Sequence, residues 1–168
     1  MRRLPLAGGR PVIGVELQGH ARTGDIDRPM SLEAMADDTA ALVRYLGFGQ
    51  VDLFGYSMGA AVALQTVIRH PQIVRKLVFA SATFNMAGVH PGIMDNLGEM
   101  TPEMMYGSPW HEEYMRLAPR PEDFGRLFAK KTDMDRRTKD IPAEVIRLIK
   151  APTLIIIGDS DLVQPEHA

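Results

Sequence analysis

Val51-Asp52-Leu53-Phe54-Gly55-Tyr56-Ser57-Met58-Gly59-Ala60-Ala61-Val62-Ala63-Leu64 is the stretch on which the fold turns. Its opening residues, 51–55, form a short apolar run of strand length. The residues from Met58 onward form an Ala-rich run of helix length, apolar nearly all round and so expected to be buried. Between the two, Gly55-Tyr56-Ser57-Met58-Gly59 fits the pattern G-x-S-x-G. A strand before and a helix after are the context in which that pattern places a serine on a strained turn. The residues two before and two after the serine, Gly55 and Gly59, are expected to be small so that the backbone can close. An ordinary strand-to-helix turn that happens to contain glycine and serine is the plainer reading, and the flanking elements weigh against it.

Upstream of this stretch, Pro11 to Leu17 is apolar and β-branched and predicts a buried strand, followed by the loop Gln18 to Gly24. Asp25 to Met30 is expected to continue that loop over the surface. Ser31 then caps a helix whose apolar face runs through Leu32, Met35, Thr39, Leu42, Val43 and Leu46, and Gly47 and Gly49 end it. Downstream, the helix after Ser57 reaches its limit near His70, before Pro71. Lys76 to Ala80 predicts a third strand. Strand, helix, strand, helix, strand implies a parallel sheet flanked by helices, an α/β fold.

The pattern changes over residues 82–140, where Thr101-Pro102-Glu103, Ser108-Pro109-Trp110 and Arg120-Pro121-Glu122-Asp123 each read as the start of a short helix. Seven of the 11 methionines fall here: Met86, Met94, Met100, Met104, Met105, Met115 and Met134. Such soft side chains suit an adaptable apolar surface over a pocket, and equally the core of a small helical layer. From 141 the α/β pattern returns. Pro142 to Ile149 is expected to be helical, Thr153 to Ile157 is the strongest strand signal in the chain, and Gly158-Asp159-Ser160-Asp161 follows it.

Bulk properties narrow the function classes. The 168 residues are 45% hydrophobic and 24% charged, which suffices for the core of one domain. A net charge of -2 and a pI near 6.2 give no pull toward nucleic acid or an anionic membrane. No segment reaches the ~18 apolar residues of a membrane span. Met1 to Leu6 lacks the apolar core of a signal peptide. The chain has no cysteine, so disulfides, a thiolate nucleophile and Cys-based metal sites are out, which fits a reducing cytoplasm. His111-Glu112-Glu113 is not a spaced ligand set, and no metal is expected.

Three motifs stand in order: the Gly19-His20 loop after a strand, Gly55 to Gly59, and Gly158-x-x-Asp161 after a strand. Together they resemble the α/β-hydrolase fold family over essentially the whole chain. The helical residues 82–140 take the place of that family's cap, residues 1–81 its core with the nucleophile elbow, and 141–168 the return of the core with its acid loop. The details look most like serine esterases and enol-lactonase-like hydrolases. The resemblance implies Ser57 as nucleophile, the Met58 N–H as one oxyanion donor, and Asp161, with Asp159 as its rival, as the acid that orients a histidine. It implies hydrolysis of a small carboxylic ester or lactone without a cofactor. Gly19-His20-Ala21-Arg22-Thr23 departs from the family's Gly-His-Gly-x-Ser loop at Ala21 and Thr23.

The resemblance also marks what is not found. The triad histidine should follow the acid, and only His167 does, in what reads as the first turn of a helix. His20 reads as structural, His70 as a surface residue at a helix end, and His90 and His111 fall in the cap region. The strands and second oxyanion donor that the family places before residue 11 are not recognised either. The chain thus resembles a hydrolase cut short at both ends. Its uncovered sheet edges predict self-association. The alternative function is a catalytically inactive fragment or binding module on a hydrolase scaffold, without the triad histidine.

Overall fold

A computed structural model describes residues 9–92 and 100–167. Three parallel strands, β1 (Val51–Tyr56), β2 (Val74–Ala80) and β3 (Thr153–Ile156), pair in the order β1-β2-β3. Leu53 pairs with Leu77 and Gly55 with Phe79, and β3 adds Thr153 opposite Leu77 and Ile156 opposite Ala80. Because side chains alternate along a strand, Val51 and Leu53 join Leu77 and Phe79 on one face, where an apolar cluster covers them.

That cover is helix α2 (Met58–Arg69), with α1 (Leu32–Tyr45) packed behind it. Ser31 Oγ accepts the Ala34 N–H at 3.0 Å, so the N-cap of α1 lies where the sequence places it. The all-round apolarity of α2 has a structural cause. Its Ala60, Ala63, Leu64 and Val67 enter the cluster against the sheet, while Val62 enters a second one. This second cluster joins Met30 and Met35 to α3 (Pro109–Leu117) and α4 (Phe124–Arg137) through Tyr114, Phe124, Leu127 and Phe128. A short helix, α5 (Ala143–Arg147), leads back to β3. No helix among the described residues is long and apolar enough to cross a membrane.

One expectation is corrected, and two others gain detail. Residues 11–17 form no strand, because a ladder needs a partner and, among the described residues, β1 is bonded on its β2 side alone. Arg10 does reach β1, donating to Asp52 at 3.0 Å. Asp25 to Met30 runs over the surface at Ile26, Asp27 and Pro29 but is anchored inward at both ends. Met30 is fully buried, and the Asp25 side chain is only 2% exposed beneath Lys130. Strand β3 is apolar yet exposed along its length. With Phe54 (66% exposed) and Tyr56 (65%) it bounds a sheet face that nothing among the described residues covers. The helix starts expected at 102, 109 and 121 all appear, the first and last as 3-10 turns. Met94 lies outside the described residues.

Candidate active site

Parallel strands bring the residues that follow them to one edge of the sheet, and ligands of open α/β sheets bind at that edge. Ser57 follows β1, Ser81 follows β2, and Gly158 to Asp161 follow β3. The ladder continues into these residues: the Ser57 N–H donates to Ala80 O, and the Ser81 N–H to Ile156 O, each at 2.9 Å.

Ser57 has φ 52° and ψ -125°, a conformation that costs a non-glycine residue on the order of 1–3 kcal/mol. It stands where an N-cap would, but an N-cap serine is extended and accepts an N–H two or three residues on. Ser57 makes no such bond, and it is exposed. The hydroxyl is thus exposed and caps nothing, which weighs against the ordinary-turn reading. Sterics hold the turn from one side only. A Cβ at Gly55 would sit 2.4 Å from Ala60 Cα and 2.6 Å from Ala60 N, whereas one at Gly59 would meet nothing within 4 Å. The expectation that both positions must be small is corrected: Gly55 is required by contact, and Gly59 stands in the open first turn of α2.

The Met58 N–H belongs to that first turn, where N–H groups lack intrahelical acceptors and the helix dipole favours negative charge. Met58 also packs on the second apolar cluster, together with Met100, Met105 and Trp110. A cavity of about 220 Å³ opens among Met100, Met105, Trp110 and Phe128, with the Lys131–Asp135 ion pair at its rim. Neither Ser57 nor Asp161 lines it.

Asp161, rather than its rival Asp159, is the carboxylate tied into the sheet edge. Its Oδ1 accepts from Ser81 Oγ at 2.9 Å and the Val163 N–H at 3.3 Å, and Oδ2 from the Gly158 N–H at 3.4 Å. The Ser81 bond, aided by the backbone donors, holds this carboxyl below the usual range against a desolvation that would raise it. Ser81 was not singled out from sequence. The available signal was its place: a small polar residue one step past a strand end, level with Ser57.

Three of the five histidines are engaged elsewhere. His20 Nδ1 lies 2.9 Å from Gln18 O, His70 Nε2 lies 2.7 Å from Asp37 Oδ1, and His111 packs edge-on against Phe124. Among the described residues no histidine hydrogen-bonds Ser57 or Asp161. No group of three or more His, Asp or Glu there is placed to hold a metal ion.

A family model of the α/β-hydrolase fold matches residues 4–136. The chain belongs to the α/β-hydrolase fold family. The α/β hydrolases it resembles include the AB hydrolase superfamily protein YisY of Bacillus subtilis, 28% identical over 98% of this chain and 69% of that protein. The serine hydrolase BPHL of Mus musculus is 29% identical over 89% of this chain and 53% of its own length. A solved structure of the N-acyl homoserine lactonase AidH, a variant bound to N-hexanoyl homoserine, shares the fold with a TM-score of 0.65 at 19% identity, covering 90% of this chain and 61% of AidH. The chain thus spans between about half and two thirds of the length of these hydrolases.

Proposed function

We propose that this chain is a serine hydrolase acting on a carboxylic ester or lactone, with Ser57 as nucleophile. The observation that carries the reading is the strained, uncapped and exposed Ser57 at the junction of β1 and α2. Ser57 Oγ attacks the carbonyl carbon and gives its proton to an imidazole base, a role to which no described histidine of this chain is assigned. The oxyanion rests on the Met58 N–H, at the positive end of α2. The carbon–oxygen bond to the alcohol breaks, and the imidazolium returns the proton to the leaving oxygen. Water then hydrolyses the acyl-Ser57. Asp161 accepts the second N–H of the imidazole and so orients it. Residues 82–140 act as a cap, and their Met and aromatic cluster beside Met58 favours an apolar acyl group over a sugar or phosphate. The names of the serine hydrolase and the lactonase among the relatives agree with this class.

A fluorophosphonate probe tests the reading. Labelling of the parent chain that disappears in Ser57→Ala is the expected result, and an unlabelled parent sinks it. The second reading, an inactive or ligand-binding hydrolase scaffold, is favoured by one observation: no described histidine bonds Ser57 or Asp161. It requires an unlabelled Ser57 in a folded chain. The uncovered face of Phe54, Tyr56 and Leu154 further supports association between copies. Sedimentation that does not change with concentration would exclude that association.

A further inference from the structure

Ser81 combines three features that packing alone does not require. It is buried, it is one of three non-glycine residues with positive φ (54°) among the described residues, and its hydroxyl ends on a carboxylate. Alternatives to αR and β cost a residue with a Cβ free energy, so they persist where the surroundings impose them. The imposing contacts are visible. The Ser81 N–H is fixed in the ladder by Ile156 O, and its Oγ by Asp161.

The Asp161 loop is held from its other side as well. Val89 and Val163 form an antiparallel bridge, the Gln164 N–H donates to Gly88 O at 2.8 Å, and the His90 N–H donates to Leu162 O at 3.0 Å. Residues 161–164 are therefore zipped to the segment that leads out of β2. With the loop backbone fixed, the freedom left to Asp161 is the rotation of its carboxylate. Ser81 and the Val163 N–H converge on Oδ1, while Oδ2 has the longer Gly158 contact at 3.4 Å. A carboxylate oxygen accepts more than one hydrogen bond, so Oδ2 retains capacity for a further donor.

We propose that Ser81 is a positioning residue: its hydroxyl anchors Asp161 through Oδ1 and so presents Oδ2 to the N–H of the base imidazole. The inference rests on Asp161 being the acid of the proposed hydrolase. It also accounts for a polar residue kept in a strained conformation where glycine would relax the backbone.

The test uses Ser81→Ala and Ser81→Gly in the full chain. Both remove the hydroxyl, and only glycine also relieves the positive φ. Two readouts are taken: titration of the Asp161 carboxyl carbon by NMR, assigned with Asp161→Asn, and steady-state hydrolysis of p-nitrophenyl butyrate. In both variants Asp161 is expected to titrate higher than in the parent. The kcat should fall about tenfold, the scale of one hydrogen bond to a charged group, with KM nearly unchanged. Ser81→Gly should show this loss even though its backbone is relaxed, which a purely structural role would not produce. Unchanged titration in both variants overturns the proposal, as does a moved titration with parental kcat. If the parent neither hydrolyses the ester nor takes a fluorophosphonate label, the hydrolase reading fails, and the titration alone decides whether Ser81 fixes the carboxylate.

Discussion

Gly55→Ala and Gly59→Ala should move stability in opposite directions. At Gly55 the new methyl would meet Ala60 Cα and Gly59 O at 2.4 Å and Ala60 N at 2.6 Å, where ordinary contact begins at 3.4 Å. All three are backbone atoms, so no side chain can swing aside. Their helix, α2, cannot retreat, because it is packed against the sheet on one side and the Met-rich cluster on the other. A displacement of this kind belongs at the upper end of overpacking costs, about 3 kcal/mol, after the small gain from a less flexible unfolded chain. For a chain of this length that lowers Tm by roughly 6–12 °C. At Gly59 a methyl enters open space in a helical turn, and alanine should gain about 0.5–1 kcal/mol. Urea unfolding followed by the fluorescence of Trp110, the only tryptophan, separates the two. Fluorophosphonate labelling should be impaired in the first variant and kept in the second. Equal effects of the two substitutions, or a Gly55→Ala loss below about 1 kcal/mol, the lower end of overpacking costs, would refute the one-sided account of the turn.

Three further outcomes are expected. Ala21→Gly should stabilise by about 0.5–1 kcal/mol, because Ala21 has φ 50° and glycine adopts that conformation without strain; a thermal melt reads it. Lys130→Met should cost about 3 kcal/mol by taking the nearest cation, 2.8 Å from Asp25 Oδ2, away from a buried carboxylate, which keeps only the neutral Gln18 donor at 2.8 Å and Arg126 at 3.5 Å. Adding Asp25→Asn to it should recover part of that loss in urea unfolding. Arg69 first, and then His70, hold Asp37 at about 2, down from 3.8. A carboxyl depressed in the folded state stabilises above its unfolded pKa and loses that contribution as pH falls through the folded value. Asp37→Asn should therefore be less stable than the parent near neutral pH, by up to about 1 kcal/mol for so exposed a pair. The gap should close between pH 3.8 and about 2, which acid titration of the two chains checks.

The parts of the fold written in local chemistry were legible. Ser31 capped α1, Ser108 and Pro109 opened α3, and the apolar runs at 51–55 and 76–80 became neighbouring strands. What was not legible depended on partners that periodicity does not encode. Residues 11–17 have strand composition but no strand beside them among the described residues, and 153–156, a strand as expected, carries its apolar side chains exposed. Asp25 looked like a loop surface residue because the lysine that buries it lies 105 positions away. The same limit divides the candidate site. Ser57 announced itself through its neighbours in sequence, whereas Ser81 acquires meaning only through Asp161, 80 residues on.

Ser57 and Ser81 are also the same backbone event at two places. The pairing of Tyr56 with Ala80 makes them the first residues beyond two adjacent strands, and both leave the ladder with positive φ. At Ser81 strain is offset by a hydrogen bond to a carboxylate, whereas at Ser57 no capping bond offsets it. The conformation of Ser57, φ 52° and ψ -125°, is one that glycine adopts freely. Ser57→Gly should therefore be more stable than the parent by about 1 kcal/mol, the strain relieved less the greater unfolded-state entropy of glycine. Ser57→Ala, which keeps the strain and loses only an exposed hydroxyl, should match the parent in melting. Both should lose the fluorophosphonate label. Such an order, glycine above serine and alanine, means that the serine is kept against the interest of stability, as a residue retained for its chemistry would be. If glycine melts at or below alanine, the turn stores no strain, and backbone conformation no longer supports Ser57 as a presented nucleophile.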